Sequence, residues 1–542
     1  MPPVNQTDPV TNLRQTITGV ARTFSGDDTI EPGLEVPPKA ELGDYSSNAA
    51  MLMAKTLGRP PRDIAADLVK EVSAELGDSV DRIEVAGPGF VNLFLADSWY
   101  RGVVGDLTAE GSAPVPPVTA PAKILIEFVS ANPTGPLTAA SGRHAAYGDA
   151  ITRLLKATGN TVDTEYYVND GGSQVENFAA SISARMTGAE PPENGYQGDY
   201  VNDLAARAEE LRIEPTDLDR LATDGVEWMV DGIRASLVRF GVEMDDFFSE
   251  RSLYEEGLVE RGLERLKAAG HTFEEDGAVW LRTTEFGDDK DRVLVRSDGE
   301  PTYFGADVAY HADKIERGYS RLIDVLGADH HGYVARMAAA IPTFGTDVDF
   351  EAQILQMIHL VEGGQRTKMS KRAGDIVTLD ELVGDIGPDA ARFFLLQRSH
   401  DSTMDLDLDL ARSQSSDNPV YYVQYAHARI QSILRKAEDQ GLGRAGAEAA
   451  TAPVDASEKA LIAKLLSFPA EVHEAAARRA PHRICAYASQ TAAAYHAFYR
   501  DCQVIGAEGE GVEAARLNLC EVTGTTLKQS LALLGISAPD RM

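Results

Sequence analysis

Cysteine, lysine and long apolar runs are all scarce in this chain of 542 residues, and each shortage closes off an explanation. Cys485, Cys502 and Cys520 stand near its end without a C-x-x-C pair or matching histidines. Neither a disulfide framework nor a protein-held metal site is therefore expected, and the three read as small buried hydrophobes. No stretch reaches the roughly 18 apolar residues of a membrane span, and positions 1–16 are polar, so a cytoplasmic protein with no membrane partner is expected. Positive charge is the third shortage. Lysine supplies 14 and arginine 37 of the 51 basic residues against 84 Asp and Glu, giving a net −33 and a pI near 4.7. Such a surface is seen with salt adaptation, although GC-rich coding bias gives much the same picture. Taken as a sum, it argues against a nucleic-acid partner, because phosphate recognition draws its affinity from Lys and Arg.

What is present is an ordinary globular composition, 43% hydrophobic and 25% charged, with length for about three or four domains. The Pro-rich stretch 111–121 cannot sustain a helix and marks a linker after a first unit, 1–110. That unit reads as α+β: helices over 48–57 and 62–76, then a hairpin over 81–96 around Gly87-Pro88-Gly89. From Ala122 the pattern is strand, turn, helix, strand, half of a nucleotide-binding fold. A second half begins at Arg321, with loop 327–332, a helix through Ile341 and a strand near 353–361. The acidic stretch of about 190–289 between the halves reads as an insertion, which makes 122–375 one Rossmann-type unit. Beyond Gly374 the periodicity is helical to the end. It gives a junction over 376–410 and an all-α bundle over 411–542, with helices at 379–383, 389–397, 419–436, 460–476, 483–499 and 511–534.

Lys368-Met-Ser-Lys-Arg372 follows a strand and precedes Gly374. Two lysines three positions apart can bring ammonium groups to a polyphosphate and offset charge on a departing pyrophosphate. Spacing alone leaves a solvated basic loop equally open. The strand-to-helix turn of the first half adds weight, since a helix N-terminus offers backbone N–H groups to phosphate.

Several blocks, in order, resemble one family. Glu127-Phe-Val-Ser-Ala-Asn-Pro-Thr-Gly-Pro-Leu137, Glu165-Tyr-Tyr-Val-Asn-Asp170, Gly327-Ala-Asp-His-His-Gly-Tyr333, Lys368-Met-Ser-Lys371 and Asn418-Pro-Val-Tyr-Tyr-Val-Gln-Tyr-Ala-His-Ala428 are similar to arginyl-tRNA synthetases of class I. Gly43-Asp-Tyr45, Gly87-Pro-Gly-Phe-Val-Asn92 and the ending Pro539-Asp-Arg-Met542 extend the likeness over nearly the whole chain. The resemblance implies a class I catalytic fold flanked by an N-terminal tRNA-contacting domain and a C-terminal anticodon-binding bundle. The implied activity is ATP-dependent conversion of L-arginine to arginyl-adenylate, then transfer to the 3′ end of tRNA-Arg by a monomer, with Mg2+ accompanying ATP. It assigns Glu127, Asn132, Tyr303, Asp307 and Asp329 to arginine. Pro133, Gly135, Thr138, Ser141, His330, His331, Lys368, Ser370 and Lys371 fall to ATP, with Lys368, Lys371, Thr138 and Ser141 catalytic. A planar, permanently charged guanidinium calls for carboxylates in bidentate reach, which suits Glu127 and Asp307.

One departure stands out. The family's His-x-Gly-His is Thr138-Ala-Ala-Ser141 here, and hydroxyls donate hydrogen bonds but carry no charge. Arg143 and His144 are nearby cations able to compensate; a catalytically impaired tRNA-binding paralogue is the alternative. For tRNA, the resemblance and the mixing of rings with cations point to Phe90, Asn92, Tyr425 and Arg429, with His427, Arg435 and Lys436 and a second basic group at Arg478, Arg479, His482 and Arg483. This reverses the inference from net charge, since binding depends on local patches rather than on a whole-surface sum.

Overall fold

The computed structural model describes residues 9–110, 115–366, 377–443 and 447–542. At its centre a five-stranded parallel sheet runs in the order Asp349–Leu355, Arg321–Gly327, Lys123–Glu127, Thr161–Val168, Asp246–Ser249. Ile124, Leu125, Ile126, Leu322 and Ile323 are buried in it, as strands covered on both faces require. From strand 123–127 the chain winds outward one way to 161–168 and 246–249. It later re-enters beside 123–127 and winds the other way. The order reverses between 123–127 and 321–327, and ligands of open α/β sheets bind outside the carboxyl ends at such a reversal.

Strand 246–249 lies inside the stretch read as an insertion, so that reading needs correcting. Helices Tyr200–Glu210 and Leu218–Arg239 precede this edge strand. Helices Glu250–Glu255 and Leu258–Ala269 and an antiparallel sheet of 272–275, 278–281 and 292–295 follow it. The strand expected over 353–361 is likewise two. The chain leaves the parallel sheet at Leu355, and Ile358–Glu362 joins a second sheet with Gln365–Arg366 and Met404–Asp407. That last strand also interrupts the expected all-helical stretch. The helix expected over 460–476 breaks into Ala456–Leu466 and Phe468–Ala477, where Pro469 has no N–H to continue the first.

In the N-terminal unit, helices Ala49–Leu57 and Pro61–Leu76 and the hairpin Val80–Ala86/Phe90–Leu95 form as expected, and helices Pro9–Ser25 and Asp97–Glu110 are added. The last of these packs on the C-terminal helix Val512–Leu533. Its Arg101 is buried, donating to the carbonyls of Ala452 and Pro453 and pairing with Glu458 at 2.9 Å. All three cysteines are free and buried. Among the described residues no helix is long and apolar enough to cross a membrane.

Candidate active site

Three carboxylates stand level across the middle of the parallel sheet: Asp324 is in register with Glu127, and Glu127 with Glu165. Helix Tyr303–Glu316, capped by Thr302, lies over them. Its residues at positions 303, 307, 311 and 314 recur at helical spacing and share one face. Lys314 Nζ donates to Glu127 Oε2 at 2.6 Å and to Asp324 Oδ1 at 3.3 Å. His311 Nε2 lies 3.1 Å from Asp324 Oδ2. The Tyr310 hydroxyl and the Arg317 guanidinium donate to Glu165. Burial opposes the charge of both Lys314 and Asp324. Each nevertheless stays ionised because the other faces it, the lysine above its ordinary range and the aspartate below.

The chain leaving strand 123–127 turns sharply. Val129 and Ser130 have φ of 69° and 38°, a left-handed region costly for residues with a Cβ and above all for a β-branched one. The turn aims Ser130 Oγ at Glu127 Oε1, 2.9 Å away, while the same oxygen accepts from Tyr167 N–H. Glu127 is thereby fixed at both oxygens.

Asp307 faces the same space. Burial pushes its carboxyl up to about 7; His311 pulls the other way, and the negative charges of Glu127, Glu250 and Asp324 add to the push. Glu250, just after edge strand 246–249, escaped the sequence reading because it falls in the stretch taken for an insertion. Its Oε2 is buried and without a hydrogen-bond partner among the described residues, and burial together with Asp170 holds it above the usual carboxylate range. Tyr167, Tyr254 and Tyr333 all feel the charge of Asp307. The site is thus a group of acids walled by tyrosines, and it holds more acid than its own cations cover. Tyr303 is 73% exposed at the rim, its hydroxyl 3.4 Å from Asn169 Nδ2. Asn132 is exposed and donates to Gln174 Oε1 at 2.8 Å.

Beside it lies the N-terminus of helix Ala139–Ala157. Thr138 caps that helix: its Oγ1 accepts from Ser141 N–H at 3.3 Å and lies 3.2 Å from Ser141 Oγ. Capping uses a lone pair, so this hydroxyl pair retains a hydrogen to donate outward. Pro133 is buried, and the Tyr200 hydroxyl donates to Thr134 O while lying 3.1 Å from where a Cβ on Gly135 would stand. A side chain at position 135 would press on that tyrosine. Backbone bonds from Ala139 N to Val377 O and from Leu379 N to Leu137 O tie this turn to the segment after the lysine motif. Lys368, Ser370 and Lys371 themselves lie outside the described residues, as does the side chain of His331. Asp329 and His330 are exposed on the short turn Ala328–His330, 3.8 Å from each other.

Neither expected substitute cation is available. Arg143 is buried and donates to the carbonyls of Gln356, Ser399 and Ser402. His144 is held neutral, pushed down to about 4 by burial and by Arg143.

Of the residues expected to meet nucleic acid, Phe90 is exposed on its hairpin, whereas Asn92 is 4% exposed and accepts from Ser46 Oγ, so its side chain faces inward. Tyr425 and Arg429 form a surface group. The guanidinium donates to the Tyr425 hydroxyl and lies over both the Tyr425 and Tyr499 rings, and Tyr421 stacks on Tyr425. Four other members of the basic clusters make contacts within the protein. His427 and Arg435 bind carbonyls of Pro539 and Asp540, Arg479 pairs with Glu351, and Arg483 with Glu471.

Three family models match in sequence along the chain: the arginyl tRNA synthetase N terminal domain over residues 11–95, the class I (R) tRNA synthetase catalytic domain over 109–430, and the DALR anticodon binding domain over 423–542. The arginine–tRNA ligase of Shouchella clausii is 46% identical over 528 residues, covering 94% of each chain. That of Frankia alni is 46% identical over 525, again 94% of each. The chain belongs to the arginyl-tRNA synthetase family. The Thermus thermophilus arginyl-tRNA synthetase superposes with a TM-score of 0.75 over 98% of this chain and 100% of its own, at 24% identity, which speaks to fold. This synthetase is therefore an arginine–tRNA ligase of class I, with ATP as the family's co-substrate, and nothing in these likenesses supports an impaired paralogue. Asp307 gives the synthetase a pH signature. Burial raises the Asp307 carboxyl to about 7, so below that value it carries a proton that a cation received there would have to displace. Arginine affinity should fall about tenfold per pH unit as pH drops below 7 and level off above it. Calorimetric titration of arginine from pH 5.5 to 8.5, in buffers of different ionisation enthalpy, should show proton release on binding only on the acid side.

Proposed function

We propose that Asp307, Glu250 and Glu127 receive the substrate guanidinium, with Tyr303 closing over it and Asn132 and Asp329 taking the α-amino end. The observation that carries this reading is the excess of acid around Asp307, whose carboxyl is pushed up by burial and by Glu127, Glu250 and Asp324, together with the buried and unpartnered Glu250 oxygen. ATP runs along Pro133, Gly135, Thr138 and Ser141, its phosphates at the helix N-terminus and its base and ribose toward His330 and His331. Lys368 and Lys371 supply positive charge to the phosphates and Ser370 a hydroxyl donor. Magnesium arrives as part of the nucleotide substrate.

The arginine carboxylate attacks the α-phosphorus in line; the bond to the bridging oxygen breaks and pyrophosphate leaves with its electron pair. The terminal ribose hydroxyl of tRNA-Arg then takes the arginyl group and AMP departs. Catalysis is positioning and charge stabilisation, with no covalent enzyme intermediate. With no histidine at 138 or 141, the two hydroxyls and the lysine motif carry the phosphate contacts. The surface group of Tyr425, Arg429 and Tyr499 offers stacking faces and a cation to an unpaired base, and Phe90 a second ring on the N-terminal unit. The working form is a cytoplasmic monomer.

Pyrophosphate exchange with arginine, lysine or citrulline, each with and without tRNA-Arg, tests the assignment. Exchange with arginine alone, stimulated by tRNA, is the expected result. Equal exchange with lysine, or no arginyl-tRNA formed, would overturn it.

A further inference from the structure

A fully buried lysine is rare and costly unless its charge is matched. The Lys314 side chain is 1% exposed and is shared by two carboxylates, one of which, Glu127, is an acid of the proposed arginine pocket. Glu127 is flanked in register by Asp324 and Glu165. Arg317 answers Glu165, Lys314 answers both of the others, and His311 faces Asp324 as well. Lys314 holds Glu127 Oε2 while Ser130 holds Oε1. We infer that Lys314 is a positioning residue for arginine recognition: its ammonium holds and aims the Glu127 carboxylate toward the incoming guanidinium. The inference rests on the reading of Glu127 proposed above.

The charged and titratable groups around this point come from every packed element. Asp307, Tyr310, His311 and Arg317 share the helix of Lys314. Asp324, Glu165 and Tyr167 come from the strands, Glu250 and Tyr254 from helix Glu250–Glu255, and Tyr333 from helix His331–Ala340. Without Lys314, Glu127 has carboxylates on both sides and no cation of its own, so the site takes up a proton at higher pH. Without the Asp324 charge, Lys314 serves Glu127 alone and the effect has the opposite sign.

The test uses the full chain with tRNA-Arg and measures KM for arginine, KM for ATP and kcat from pH 6 to 9 for K314M, D324N and E127Q. K314M should raise the arginine KM by about ten- to a hundredfold, the loss of one charge-assisted hydrogen bond, with kcat and the ATP KM nearly unchanged. It should also move the acid limb of the arginine profile to higher pH, and D324N should move that limb to lower pH. A purely structural lysine would lower kcat through lost active protein and leave both KM values and the limb in place, which would overturn the inference. If K314M does not fold, an unmoved limb in D324N overturns it alone. Should E127Q leave the arginine KM unchanged, the reading of Glu127 fails; should E127Q raise it while K314M does not, only the role of Lys314 fails.

Discussion

Asp307→Asn should lower kcat/KM for arginine by about two to three orders of magnitude while leaving the folded protein at least as stable as the parent. The first half follows from pairing. A guanidinium desolvated among tyrosines and deprived of one ionised partner loses on the order of 3–4 kcal/mol, within the range seen when one member of a buried, hydrogen-bonded charge pair is removed. The second half follows from the sign of the titration. The folded state raises this carboxyl to about 7, so between the ordinary carboxylate value and 7 the folded protein binds more protons than the unfolded chain. Its stability accordingly falls as pH rises through that window, and above 7 the full cost of an ionised Asp307 is present. Asparagine keeps the shape and removes that cost. Thermal melts at pH 8 without arginine should give a Tm no lower than the parent, whereas added arginine should raise the parent's Tm and barely move the variant's. A variant that lost activity and melted earlier would show that Asp307 is structural.

Arg392→Met should be the most destabilising single change away from the site. Arg392 is fully buried, pairs with Asp149, and donates to the carbonyls of Leu534 and Phe240. It thus fastens helix Ala139–Ala157, helix Pro388–Leu396, the end of helix Leu218–Arg239 and the C-terminal helix to one guanidinium. Its loss leaves Asp149 with only the half-exposed Arg153 and two carbonyls short of a donor. Breaking one side of a buried pair costs about 3–5 kcal/mol, most of it from the charge left behind. Adding Asp149→Asn should therefore recover a large part of the loss, and urea denaturation midpoints of the two single variants and the double variant measure it. Simple addition of the two losses would disprove the pairing.

These two residues also mark what could be read from the chain alone. Asp307 could be pointed to only through the family likeness, since its spacing from Tyr303 alone suits an ordinary surface helix pair. The strand and turn around Glu127 were legible because a short apolar run ended at Asn132-Pro-Thr-Gly. Glu250 was not, since an acid in an acidic stretch looks like solvated surface, and only the pairing of strand 246–249 carries it to the sheet. Lys314 was hidden for the converse reason: a lysine on a helix is expected at the surface, and its burial depends on three strands meeting at one level. Register between strands far apart in sequence leaves no local signature. The same blindness made Arg143 and His144 look like spare cations. One is spent on three carbonyls and the other is neutralised by burial, neither of which their place on the helix announces.

Helix Ala139–Ala157 begins at the proposed phosphate site, and along its length Arg143, Tyr147, Asp149 and Arg153 reach carbonyls or side chains of the junction and the C-terminal bundle. For anyone building hybrid enzymes, this sets where the chain can be cut. A bundle borrowed from a relative would have to bring its own carbonyl at 479 and an ending near 534 that meets Arg392 of the junction, or the graft would loosen the rod that begins at the proposed phosphate site. The catalytic core and the bundle are therefore best exchanged together.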